Sequence, residues 1–212
     1  VDFVNNMKIK GSECNSLYYD YISFISKRKL DVKALNDSLI EFAEDPELSG
    51  SISKRIIAVN KAVQERQKNM LSEHPDNWAA QMVGMTVPIV IPDPPTDTEG
   101  NVTDSLFQYH YYINHYFDNV PLDNPAIVRT PEFDKKFKEF FTGAIVQSPD
   151  TVMQYANSFI DKIKYDDELF KYVVHTLTYS FETSNIMCMD AAFVGMVETY
   201  YMTDLTPWMD ST

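Results

Sequence analysis

Amphipathic helix signatures follow one another from residue 103 to residue 205, each introduced by a capping residue, and such a run can fold into little other than packed helices. Thr103 or Asp104 can cap a helix in which Leu106, Tyr109, Ile113, Tyr116 and Phe117 share a face. Thr130-Pro131-Glu132 then supplies an N-cap, a first-turn proline and an early acid ahead of Phe133, Phe137, Phe140 and Phe141, and Gly143 is expected to close that helix. Ser148-Pro149-Asp150 repeats the signal before a stripe of Val152, Ala156, Phe159, Ile160 and Ile163. Asp166 caps the next helix, with Phe170, Val173, Val174, Leu177 and Phe181 in phase, and the last is expected through Met189, Phe193, Val197, Tyr200 and Tyr201. Between the first two, Asp118 to Arg129 with Pro121 and Pro125 reads as an extended connector.

The N-terminal part follows the same logic. Phe3 to Ile9 resembles the tail of a strand, and Gly11-Ser12 reads as a turn and N-cap. Leu17, Tyr21, Phe24 and Ile25 fall on one helical face that ends at the basic run Lys27 to Lys29. A separate helix marked by Leu35, Leu39 and Phe42 is expected to stop near Asp45 and Pro46. Ser49 or Ser51 then caps a longer one striped by Ile52, Ile56, Val59, Val63 and Met70, followed by a short helix through Trp78, Met82 and Met85. Pro88, Pro92, Pro94 and Pro95 break the pattern, and the loop they form is read as a seam. The expectation is an all-α fold, an antiparallel multi-helix bundle or irregular helix-pair solenoid. It consists of an N-terminal helical half (1–86), a Pro-rich loop (87–102) and a C-terminal helical half (103–212) within one compact domain.

Charge narrows the partners. Eighteen basic against thirty-one acidic side chains leave a net charge of −13, which repels nucleic-acid backbones and anionic membrane surfaces. No apolar run approaches the roughly 20 residues that span a bilayer, so direct membrane insertion is not expected. The sequence begins at Val1 with neither Met nor a basic-then-apolar leader, as a trimmed, mature or internal piece would. Cys14 and Cys188 have no neighbouring cysteine with which to form a redox pair or zinc clip; two free thiols are expected, with a long-range disulfide as the alternative.

Nothing in the motif inventory points to catalysis: no nucleophile elbow, phosphate loop, zincin helix or dinucleotide fingerprint is present, and no cofactor or metal is expected. Helical phase puts His110 on the buried face of its helix and His115 on the opposite one, with Asp118 three residues on to orient the ring. Tyr111 and Tyr112 flank that outer face, while Tyr172 and Tyr179 share a face with His175. Together Tyr111, Tyr112, His115, Asp118, Tyr172, His175 and Tyr179 make a candidate docking surface; burial between helices is the plainer use for such rings. Trp78, Tyr109 and Tyr116, beside the proline loop, are the candidate walls of a small-molecule or glycan pocket at the seam. A weaker option is an enzyme built on His115 and Asp118, which requires a further catalytic side chain within reach.

Two stretches carry a family likeness. Tyr116-Phe117-Asp118-Asn119-Val120, running on to Arg129-Thr130-Pro131, and Ser184-Asn185-Ile186-Met187-Cys188-Met189-Asp190-Ala191, ending in Tyr200-Tyr201, are similar to the helical domain of unknown function that precedes the thioredoxin-like disulfide reductase domain in envelope lipoproteins of Bacteroidetes. Gly11-Ser12 and the following helix resemble the opening of that domain. The resemblance implies a non-catalytic accessory domain, periplasmic or anchored at the cell envelope, whose partners are its own thioredoxin-like domain and a protein client. The W-C-x-x-C signature of the redox domain has no match here, so no catalytic residue carries over. The family pattern also implies a small residue such as glycine where Cys188 stands and a charged one where Cys14 stands, which makes both cysteines local departures.

Overall fold

A computed structural model describes residues 8–203, 205, 206 and 208. Among them the regular structure is eight α-helices and no strand, with one isolated antiparallel bridge between Thr96 and Val102. No helix among the described residues is long and apolar enough to cross a membrane. Of the expected strand tail, Phe3 to Met7 lie outside the described residues, and Lys8 and Ile9 are irregular. The chain divides into two compact units, Val1–Pro88 and Ile89–Thr212.

In the N-terminal unit, Ser12 caps α1 (Glu13–Glu41) by accepting from the Asn15 amide. One helix replaces the two expected here. No glycine or proline interrupts Leu30 to Ala34, and Asp31 pairs with Arg28 at i,i+3 across the supposed junction instead of capping a new helix. Asp45 does not end a helix but starts one: its carboxylate accepts from the Glu47 and Leu48 amides, and Pro46 takes the first position of α2 (Pro46–Glu73). Asn77 caps the short α3 (Trp78–Gly84). The core lies at the base of this hairpin, where Tyr21, Met70, Ala79, Ala80 and Val83 cluster with Leu17, Ile22 and Ile25 packed against them. Ile56, Val59 and Val63 keep the expected phase but are only half-buried, because beyond α3 the described part of this unit offers the two long helices only each other. One buried polar side chain joins α1 and α2 to the turn that follows α3: Gln67 Nε2 donates to Tyr21 Oη and to Thr86 Oγ1, each at 3.0 Å.

The C-terminal unit begins with the proline loop, where the Asp97 carboxylate accepts from the amides of Glu99 and Asn101 and Gly100 turns the chain at φ 86°. The helix expected from Thr103 or Asp104 starts later, as α4 (Phe107–Asn114). Asp104 Oδ1 takes the Leu106 amide into a turn instead, which leaves Leu106 outside the helix and exposed, and His110, one turn on from it and expected on the buried face, is exposed as well. Tyr116 and Phe117 are in a turn beyond α4. The supposed extended connector contains a 3₁₀ turn, Pro125–Arg129, started by Asn124 and Pro125 and burying Ile127 completely.

Thr130 caps α5 (Pro131–Glu139), which runs on as a π-helical turn, Phe140–Ala144. Ser148 caps α6 (Pro149–Ile163), Asp166 caps α7 (Asp167–Glu182), and α8 (Asp190–Met196) also runs on as a π-helical turn, Val197–Tyr201. The stripe of α8 differs from expectation: Met189, Ala192, Met196 and Tyr200 are buried, whereas Phe193, Val197 and Tyr201 are only half-covered. Ala192 is small enough to take the close side against the neighbouring helices, and Gly195 already lies so near Met153 that an added methyl group would stand 3.1 Å from its Cε. Between α7 and α8, Cys188 adopts φ 68°, the only non-glycine residue in the left-handed region among those described. Both cysteines are free.

Substitutions at Gln67 and Cys188 test this description by chemical denaturation. Gln67→Ala, which strips the buried Tyr21 hydroxyl and the Thr86 hydroxyl of their donor, is expected to cost about 1–3 kcal/mol, against about 0.5 kcal/mol or less for exposed Gln64→Ala; equal effects would contradict the central role of Gln67. Cys188→Gly is expected to raise stability by up to about 1 kcal/mol, since glycine adopts this conformation without a Cβ clash, and Cys188→Val to lower it by about as much.

Candidate functional site

The face that α7 buries decides the face it leaves open. Leu169, Phe170, Val173, Val174, Leu177 and Phe181 point inward, so His175, Tyr179 and Glu182 fall on the outer side. The phase of α8 leaves Phe193, Val197 and Tyr201 outermost in the same way. These six residues, with Thr178 between them, line one open groove of about 340 Å³. Its surface is mostly apolar. Thr178 spends its hydroxyl on the Val174 carbonyl at 2.7 Å, so the ionisable groups facing the groove are His175, Glu182 and the two tyrosines.

The remaining candidate residues are used in other ways. Tyr172, one turn before His175, donates to Asp134 Oδ1 at 2.5 Å and packs against Phe133 and Phe137. Burial and the neighbouring carboxylate both push its phenol well above the ordinary value. The Asp134 carboxyl is raised by desolvation, but hydrogen bonds from Lys138 and Tyr172 outweigh this and hold it below the usual carboxylate range. Tyr111 stacks on His115 with ring centroids 4.1 Å apart, and His115 Nδ1 donates to Asp118 Oδ2 at 2.5 Å. Tyr112 turns its edge to Tyr116. The seven residues of the expected docking surface therefore separate into a Tyr111–His115–Asp118 ladder, half-buried at the two rings and exposed at Asp118, the rings of Tyr112 and Tyr172 resting on the core, and the His175–Tyr179 pair in the groove.

Asp118 also borders a second, more polar cavity of about 170 Å³, together with Asn114, Tyr155, Ser158 and Lys162. Burial raises the Tyr155 phenol there. Among the described residues no group of three or more histidine, cysteine, aspartate or glutamate side chains is placed to hold a metal ion. Of the expected pocket walls, Trp78 is half-buried at the start of α3 in the N-terminal unit. In the C-terminal unit Tyr109 is half-buried, and Tyr116 is a core residue enclosed by Phe117, Phe140 and the Lys136 ammonium.

Glu182, Phe193, Val197 and Tyr201 were not among the candidate site residues. Periodicity assigns the last three to a buried stripe, and the signal that could have placed them outside was the alternative stripe through Ala192 and Met196. A protein-family model described as Domain of unknown function (DUF5106) matches residues 64–212, well over half of the chain. The chain belongs to that family. The match takes in the whole C-terminal unit, and so both cavities and all seven surface candidates lie within the family domain. No curated protein and no solved structure matches the chain.

The Asp134 geometry yields a pH test. A carboxyl whose folded pKa is depressed contributes stability that is full above its unfolded pKa of about 4 and is lost as pH falls through the lower folded value. Thermal unfolding followed from about pH 5 to pH 2 should show a shallower acid decline for Asp134→Asn than for the parent chain, by a small margin because the carboxylate is partly exposed. Superimposable declines would mean that Asp134 is not held by Tyr172 and Lys138 in solution.

Proposed function

We propose that this chain is a non-catalytic helical accessory domain of a thioredoxin-like protein of the bacterial cell envelope, which positions the redox domain or recognises its client. The α7–α8 groove is the observation that carries this reading, because a preformed, mostly apolar cavity of about 340 Å³ edged by a few polar groups suits recognition. The likeness to the domain upstream of envelope disulfide reductases supports it, since one of the two stretches bearing that likeness, Ser184 to Ala191 ending in Tyr200-Tyr201, forms the α7–α8 connection and the end of the groove's second wall.

The ionisable groups nearby serve the fold in ways consistent with this role. Tyr172 and Tyr200 donate to Asp134 and Asn157, and burial, with Asp161 adding to it, pushes the Tyr200 phenol up to about 12; phenols so raised stay protonated as donors. His115 is engaged with Asp118.

The test is an insulin-reduction assay with dithiothreitol as the electron source. The chain alone is expected to add nothing to the rate at which free dithiothreitol precipitates insulin. Catalytic turnover by this chain would overturn the proposal, and loss of that turnover in Cys188→Ser would place the activity on the exposed thiol.

A further inference from the structure

We infer, resting on the recognition role proposed above, that the α7–α8 groove takes a cationic amphipathic helix of a protein partner, with apolar side chains laid along the cleft and a lysine or arginine reaching Glu182. Shape gives the first reason. From His175 to Glu182 the cleft follows α7 for about 10 Å, two turns of helix, with Phe193, Val197 and Tyr201 as its other wall. A helix presents anchors at that spacing, at positions i, i+4 and i+7. A peptide that binds by strand addition needs a sheet edge, and no strand is present among the described residues to offer one.

Surface chemistry gives the second. Phe193 and Val197 on one side, with Tyr179 and Tyr201, offer apolar and aromatic contact, and Tyr179 is 61% exposed in a groove that no described residue fills. Met187 in the α7–α8 connection and Met202, next in sequence to Tyr201, are exposed, and methionine adapts to the shape of an incoming apolar surface.

Charge gives the third, and it selects the sign of the partner. Glu182 is the carboxylate lining the groove, Asp190 opens α8, and Glu198 sits in its π-helical turn. None of the three makes an ion pair with a described residue. Residues 89–212 hold nineteen acidic against seven basic side chains, so the field around the cleft draws in a cation and repels an acidic segment. A guanidinium or ammonium that reaches Glu182 can also lie on the faces of the neighbouring rings.

The experiment uses the whole chain and three labelled peptides, read by fluorescence anisotropy at physiological salt. The first carries leucine at every third and fourth position and lysine elsewhere; the second keeps the lysines and replaces leucine by serine; the third keeps the leucines and replaces lysine by glutamate. The first is expected to bind, and the other two to bind at least about tenfold more weakly. Tyr179→Ala and Glu182→Lys, both at exposed positions, are each expected to weaken the first peptide about tenfold, whereas Asp123→Lys, which makes the same charge change away from the groove, leaves it unaltered. Equal binding of the serine peptide, equal weakening by Asp123→Lys, or no binding of the first peptide would each overturn the inference. Any of these results in a chain that gives no insulin turnover removes the groove's partner and leaves the accessory role standing, while insulin turnover removes that role whatever the peptides do.

Discussion

Packing of the C-terminal unit is organised around the aromatic row on α5. Phe133, Phe137 and Phe141 are fully buried, and the rings around them form a continuous edge-to-face and tilted network: Phe137 to Phe141 at 5.0 Å, Phe137 to Phe159 at 5.4 Å, Phe117 to Phe159 at 4.7 Å and Phe117 to Phe140 at 4.8 Å. Each such pair adds about 0.5–1.5 kcal/mol beyond simple burial. The network reaches α6 through Phe159 and α7 through Tyr172. It is set in register by one buried hydroxyl, since Thr130 Oγ1 donates to the Ile127 carbonyl and accepts from the Phe133 amide, joining the 3₁₀ turn to the first turn of α5. With α6 and α7 seated on that row, the outer faces of α7 and α8 are determined, and with them the groove.

Polar groups inside the unit follow from the same packing. A phenol that must lie against a phenylalanine cluster needs an acceptor at its far end, and Tyr172 and Tyr200 find theirs in Asp134 and Asn157. These residues look like functional chemistry in the sequence and behave as fasteners in the fold. His175 and Tyr179, three and seven residues beyond Tyr172, belong to a different environment, because one helix passes from the α5 side to the open cleft within two turns.

The all-helical class was legible because nearly every helix start is written in local chemistry. Ser12, Asn77, Thr130, Ser148 and Asp166 cap helices with their own side chains, and Pro131 and Pro149 occupy first positions. The boundaries misread were those where a residue has two uses. Asp45-Pro46 ends one pattern and begins another equally well, and Asp104 can cap a helix or close a turn. Two helices merged into α1 because a change of stripe is visible in sequence while continuity of the backbone is not. The groove was half legible: His175 and Tyr179 stood out by being off the stripe of α7, but Phe193, Val197 and Tyr201 did not, since an apolar residue at helical spacing reads as core until Ala192 and Met196 are seen to occupy the inner side.

The long hairpin of the N-terminal unit has a property of its own. Past the Gln67 junction, α1 and α2 run on as a pair within this unit whose outward residues include Leu30 at 68% and Ile57 at 65% exposure, with Leu35 and Ile52 enclosed near the tip. Two helices alone bury little surface per residue, so the free energy of local opening declines from the anchored base toward the turn at residues 42–45. Backbone amides there exchange with solvent without waiting for the unit to unfold, and the tip acts as a compliant lever on a rigid root.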